Sequence, residues 1–193
     1  MESPTKLGGQ QFERLILSRA AIEGRAGKYT LGRYGTITVR VAGRWSPVPS
    51  LPDFEGIQAE RGSQFIFDAK VCSQAAFPLS GGTSRSFFSR QYSHLIRRSR
   101  FGALTFILLH FNARTLKTKS EPAGTFLIPV VEGMTLWKRY DDGWLRTLTR
   151  DLSSKYGISV SWGLASPRTR LVTPDFYTAI CSFASDDTEK YYQ

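Results

Sequence analysis

Asp53, Asp68 and Lys70 are the residues whose types and spacing point to chemistry. Asp53 follows Pro52, and the other two end the stretch Gln64-Phe65-Ile66-Phe67-Asp68-Ala69-Lys70. That stretch otherwise reads as a strand, and strand side chains alternate faces. Phe65, Phe67 and Ala69 therefore share one face, while Ile66, Asp68 and Lys70 share the other. The acid and the base project together, beside the neighbouring strand expected to carry Asp53. Two carboxylates converging from adjacent strands make a hard, oxygen-rich site suited to Mg2+ or Mn2+. A lysine beside them would lower the pKa of an attacking water or steady charge growing on a phosphate. Metal-assisted hydrolysis of a phosphodiester needs these parts. For an Asp-x-Lys taken alone, the competing reading is an exposed ion pair on an edge strand.

Charge narrows the partners. The chain has 193 residues, a formal net charge of +10 and 41% hydrophobic residues, enough for one ample core. The charge is uneven: residues 1–120 carry a net +11 and residues 121–193 a net −1. No acid occurs between Ala69 and Ser120, or from Gly24 to Pro52. A polyanion is the natural partner for such a surface, the alternative being a generally basic soluble protein. Cys72 and Cys181 fit no disulfide or metal spacing, and His94 and His110 are too few for a multi-histidine site. The polar N-terminal segment lacks the apolar core of a signal peptide. The longest apolar run, Phe101 to Phe111, is about half of what a membrane span needs. The expected setting is a reducing cytoplasm, with no membrane partner.

The elements that must position these residues follow from periodicity. Phe12, Leu15, Ile16 and Ala20 recur at helical spacing after Gly8-Gly9, in a helix expected to end near Gly24. Residues 28–45 hold Lys28, Arg33, Arg40 and Arg44 with no acid, around an alternating segment from Thr36 to Val41. That pattern fits a basic ribbon projecting from the core. The proline-rich 46–52 reads as a connector, followed by strands near 53–59 and 64–70. Residues 86–100 read as a helix with Phe88, Gln91, Tyr92 and Leu95 on one face, where an amide needs a reason to be. Ala103 to Phe111 reads as a buried central strand and Thr125 to Val131 as another. Residues 133–156 read as one or two helices broken near Asp141-Asp142-Gly143. The economical reading is one α/β domain over 1–193.

Several short motifs then fall in an ordered series. Pro52-Asp53 with Asp68-Ala69-Lys70 resembles the PD-(D/E)xK nuclease superfamily. Gly9-Gln10-Gln11-Phe12-Glu13, Asp53-Phe54-Glu55-Gly56, Phe67-Asp68-Ala69-Lys70, Phe77-Pro78-Leu79 and Arg90-Gln91 are similar to the motifs of RecU-type Holliday-junction resolvases. The apolar strand 103–111, Phe126-Leu127-Ile128-Pro129 and Pro167-Arg168 fall in the same order, so the resemblance covers roughly residues 8 to 180. Asp68 stands where that family has glutamate, and Arg90 where it has histidine.

The resemblance implies a restriction-endonuclease-like core: a mixed central sheet flanked by helices, with a protruding stalk at about 28–45 and a tail at about 181–193. It implies that Asp53 and Asp68 ligate Mg2+, with Mn2+ as a substitute, and that Lys70 assists the nucleophile or the scissile phosphate. Glu13 would join as a further metal ligand, directly or through water, and Gln91 would contact metal-bound water or DNA. The implied activity is paired, symmetrical nicking of four-way DNA junctions by a homodimer in recombination and repair, and a recombinase partner stays open. Arg33, Arg40, Arg44, Arg85, Arg90, Arg97, Arg98 and Arg100 are the candidate phosphate contacts. Tyr29, Tyr34 and Trp45 either stack on exposed bases or pack in the core or hairpin. The alternatives are a restriction- or repair-type endonuclease on the same core, or a non-catalytic DNA-binding protein.

Overall fold

The alternation around Asp68 is realised in a nine-residue strand inside the principal sheet. A computed structural model describes residues 4–34, 38–41, 44–47, 52–79, 87–115, 120–165 and 171–185, with 38–41 and 44–47 described by their backbone. In chain order its elements are α1 (Gly9–Arg25), β1 (Tyr29–Arg33), β2 (Thr38–Val41), β3 (Arg44–Pro47), β4 (Phe54–Gln58), β5 (Gln64–Cys72) and β6 (Ala76–Pro78). Then come α2 (Phe87–Arg100), β7 (Leu104–Phe111), β8 (Arg114–Thr115), β9 (Ser120–Glu121), β10 (Gly124–Pro129) and α3 (Thr135–Asp141). The chain continues through β11 (Thr147–Thr149), α4 (Arg150–Tyr156), β12 (Ile158–Ser159), β13 (Trp162–Leu164), β14 (Val172–Pro174) and α5 (Phe176–Ser185).

Six strands form one mixed sheet in the order β1-β4-β5-β7-β10-β12. Only β5 and β7 run parallel within it, joined by the α2 crossover; the other neighbours are antiparallel. Helices cover both faces. Phe67 and Phe106 are register partners, and on their face they meet Phe176 and Phe183 of α5. Phe12 of α1 packs there too, against His110. On the opposite face α2 lies over Asp68, and α3 packs on α2 through Tyr92–Trp137 and Phe88–Tyr140 ring contacts. This is the mixed α/β sandwich expected of a restriction-endonuclease-like core. Among the described residues no helix is long and apolar enough to cross a membrane.

Three boundaries differ from the sequence reading. Residues 29–33 belong to the central sheet, not to a stalk: all five pair with β4, and Tyr29 is buried against Phe65, Phe176 and Tyr177. Tyr29 is thus a core residue with no face for a base. The ribbon is the separate β2–β3 pair, and it takes Ser46 and Pro47 from the supposed connector. At the other end, α5 runs to Ser185 with Ile180 and Phe183 buried, so 181–185 is core helix instead of tail. Between 133 and 156 the chain forms α3 and α4 with β11 between them.

Gly56 lets the edge of this sheet close. A Cβ there would lie 2.2 Å from the Thr30 carbonyl oxygen and 2.3 Å from the Phe65 ring. Backbone cannot yield to it as a flexible side chain would. Gly56→Ala is therefore expected to cost about 3 kcal/mol, the upper part of the usual overpacking range. Urea unfolding measures it, and a loss below about 1 kcal/mol would contradict this account of the β1–β4 edge.

His110 sets an acid limit. It is fully buried, with Nδ1 2.8 Å from Thr125 Oγ1. The Trp162 indole N–H donates to that same oxygen at 2.9 Å, so the threonine hydroxyl ties the two rings together. Burial lowers the His110 pKa from 6.5 to about 4. Because the folded pKa lies below the unfolded one, the unfolded chain takes up the proton first. The stabilisation is intact above pH 6.5, falls between 6.5 and about 4, and is level below. The interval corresponds to about 3 kcal/mol. Urea midpoints across that pH range should fall more steeply in the native chain than in His110→Gln; parallel curves would refute the assignment.

Candidate metal centre

The site forms where β4 and β5 begin to part. Phe54 pairs with Phe67, which sets Asp53 and Asp68 opposite each other one step further out. Asp53 turns its carboxylate into the seam, and its Oδ2 accepts the Ala69 N–H at 2.9 Å. Lys70 reaches both acids, with Nζ 2.7 Å from Asp68 Oδ2 and 3.6 Å from Asp53 Oδ2. From above, α2 lowers Gln91 onto Asp68, and its Nε2 donates to Asp68 Oδ1 at 2.6 Å. Phe88, Tyr92 and Leu95 anchor the same helix face in the core, so Gln91 is fixed by packing.

Asp68 is 1% exposed, and burial raises its carboxyl pKa well above the usual range. The Lys70 ammonium opposes that rise, while the neighbouring Asp53 carboxylate adds to it. The ionised pair is thus under-compensated, an arrangement that gains from added positive charge. Gln91 Oε1 is buried and has no hydrogen-bond partner among the described residues. Two carboxylates and an orphaned amide oxygen fit a hard cation such as Mg2+, which binds through one or two carboxylates and keeps several waters. Asp53 and Asp68 would hold it, and Gln91 Oε1 would accept from a water at the site.

Glu13 stands elsewhere. Its carboxylate lies 2.6 Å from the Arg33 guanidinium, in a cleft between α1 and the end of β1. Among the described residues no group of three or more His, Cys, Asp or Glu side chains is placed to hold a metal. The structure therefore brings together Asp53, Asp68, Lys70 and Gln91, and sets Glu13 apart with Arg33.

The arginines of α2 divide by direction. Arg90 and Arg97 are exposed and, with His94, Arg100 and Asp141, line an open groove of about 680 Å3. Arg100 is paired to Glu132, Nε to Oε2 at 2.7 Å. Arg98 turns inward: its Nη2 donates to Gln64 Oε1 at 2.6 Å and reaches Glu55 Oε1 at 3.3 Å. It braces α2 against the start of β5, so its charge is engaged within the fold. Arg85, and the Pro167-Arg168 pair, lie outside the described residues, as do the side chains of Arg40, Arg44 and Trp45.

The sequence reading passed over two residues here, Glu55 and His94. Glu55 sits two positions after Asp53, hence on the same strand face, and that spacing was the available signal. His94 lies one turn beyond Gln91; its Nε2 is buried with no partner among the described residues. Burial, then Arg97 and Arg98, lower its pKa.

This combination, a mixed sheet with paired acids and a lysine at the β4–β5 seam, frames the comparisons. No protein-family model matches the chain, and no curated protein matches it. Among solved structures it is similar to Hjc of Archaeoglobus fulgidus, a Holliday junction resolvase from an archaeal hyperthermophile. The similarity covers 78% of this chain and 95% of that one, at 18% identity and a TM-score of 0.45.

Proposed function

We propose that this chain is a Mg2+-dependent endonuclease that resolves four-way DNA junctions as a homodimer by paired nicks. The observation that carries the reading is the convergence of Asp53, Asp68, Lys70 and Gln91 at one buried seam. A bound divalent cation supplies polarisation of a phosphodiester oxygen and activation of water.

The chain's own groups divide the remaining work. Asp53 and Asp68 bind the cation, and the Gln91 amide fixes Asp68 in one orientation. Gln91 Oε1 orients a water at the site. Lys70, held between the two acids, moves its ammonium toward the phosphate and stabilises charge as the bond breaks. Phosphate contacts supply affinity without reading sequence, and exposed Arg90 and Arg97 fit that task. A homodimer sets two such sites about a two-fold axis, which suits a substrate with opposed equivalent strands. Work on recombining DNA in the cytoplasm belongs to the same reading.

The test uses synthetic four-way junction, fork and duplex substrates, each with Mg2+, Mn2+ or chelator. The expected result is symmetrical nicking of the junction, supported by either metal and absent with chelator. Equal cutting of matched duplex would point to a restriction- or repair-type enzyme. No cutting of any substrate with metal would overturn the nuclease reading.

A further inference from the structure

Phe101 and Trp144 are the exposed aromatic side chains among the described residues, at 83% and 81%. Both border the open groove beside α2. Phe101 follows Arg100, a lining residue, and its N–H returns to the Arg98 carbonyl at 3.1 Å. Trp144 follows α3, whose last residue, Asp141, lines the groove as well. The Leu145 N–H bonds back to the Arg139 carbonyl at 2.8 Å, which keeps Trp144 at that end of α3. Arg100 pairs with Glu132, just before α3, while the Tyr92 hydroxyl donates to Asp141 at its end. The two helices therefore run antiparallel, and the two aromatics flank opposite ends of the groove.

Between them the surface is cationic. α2 contains no acid. Of the acids beside it, Glu132 is held by Arg100, and Asp141 accepts from Tyr92 at 3.0 Å. Arg90 and Arg97 are left exposed two helical turns apart, about 10 Å along the axis. Arg90 is next in sequence to Gln91, which bonds Asp68, so the groove begins one residue from the proposed metal centre.

Cations set between exposed aromatic faces suit the phosphates and bases of a single strand. A duplex keeps its bases stacked inside and offers such faces little beyond its ends. A second copy of this chain, with a net charge of +10, would meet Arg90 and Arg97 with an excess of like charge. We propose that the α2 groove binds an unpaired DNA strand, with phosphates on Arg90 and Arg97 and bases stacked on Phe101 and Trp144. Branched DNA with an unpaired segment next to the cut is then the favoured substrate. The proposal deepens the nuclease reading and rests on it for the groove's place in the reaction, but binding is tested without metal or cleavage.

The experiment is fluorescence anisotropy of the full chain with a labelled oligo-dT strand, an abasic strand of the same length and a matched duplex, all in chelator. Trp144→Ala and Phe101→Ala are each expected to weaken oligo-dT binding about tenfold, and to leave duplex affinity within about twofold. The native chain should bind the abasic strand about tenfold or more weakly than oligo-dT, because it offers phosphates without bases. Circular dichroism checks that each variant is folded, and if one is not, the abasic comparison decides. Absence of oligo-dT binding, or equal losses on strand and duplex, would overturn the proposal. An altered sedimentation state in the variants with oligo-dT affinity intact would assign the face to a second copy and overturn it too. Junction cutting with oligo-dT affinity insensitive to both aromatics would remove the groove and leave the nuclease reading standing. Oligo-dT binding that depends on them in a chain that cuts nothing would do the reverse.

Discussion

Asp68→Ala is expected to reduce junction cleavage about a thousandfold while junction binding stays near its native strength. The magnitude follows from the several kcal/mol that metal-assisted charge stabilisation contributes, at about 1.4 kcal/mol per tenfold in rate. Binding is spared because Asp68 is 1% exposed and the candidate phosphate contacts lie elsewhere. Removing a carboxylate from beneath a DNA path even favours tighter binding. Lys70→Ala should cost about 10²- to 10³-fold, the range for loss of one group that stabilises developing charge. Gln91→Ala should cost about 10- to 100-fold, as expected for a residue that orients a metal ligand. The order Asp68, then Lys70, then Gln91 is itself a result to check by single-turnover kinetics. Full activity in Asp68→Ala would sink the proposed centre, and an intact Gln91→Ala would remove α2 from it.

Folding controls matter for these variants because Asp68 is a buried charge. Its loss leaves Lys70 with Asp53, and leaves the Gln91 amide without its acceptor. It also removes a carboxylate that burial already penalises. The two effects oppose each other, so urea midpoints near the native value are expected, and activity can be read as chemistry.

The grouping of Asp68, Lys70 and Gln91 was legible in the sequence because it is written in local rules. Strand alternation put Asp68 and Lys70 on one face, and helical spacing put Gln91 among Phe88, Tyr92 and Leu95. Both patterns need only a few residues of one element. Glu13 shows where such reasoning stops. Its partner Arg33 lies across an α1–β1 packing contact, which no periodicity within either element specifies. The same holds for Arg98, a candidate phosphate contact by sequence: only the closeness of α2 to β4 and β5 sends it to Gln64 and Glu55.

β1 was read as part of the ribbon for a related reason. It is an edge strand, and of its five residues only Tyr29 is buried, so it carries no alternation to detect. Its Gly32 and Arg33 resemble the glycines and arginines of the ribbon that follows. For α5 a signal was present and unused. Asp175 precedes the apolar run from Phe176 and accepts from the Thr178 hydroxyl at 3.0 Å, a helix-start pattern visible in the sequence.

Replacing residues 36–47 with a tight turn is expected to lower junction affinity and junction cleavage at least about tenfold, and stability by less than about 1 kcal/mol. The ribbon forms its own two-stranded sheet, β2 with β3, apart from the six strands of the core. Its removal therefore breaks no pairing of β1, β4 or β5, and leaves Asp53, Asp68, Lys70 and Gln91 in place. The deletion begins after Tyr34 because residues 29–33 hold the edge of the central sheet; cutting into them would unfold β1 and confuse specificity with stability. The removed segment contains Arg40 and Arg44 and no acid, so its loss removes positive charge alone. Two such ribbons in a dimer would meet in the open centre of a four-way junction, a space that duplex DNA lacks. The loss should therefore be selective: junction cutting falls, while residual cutting of a fork or nicked duplex falls far less. Lower affinity for all substrates by the same factor would mean that the ribbon contributes charge alone. Undiminished preference for junctions in a folded deletion variant would shift selectivity to the groove of Arg90 and Arg97 on α2, where substitution of those two arginines becomes the deciding measurement.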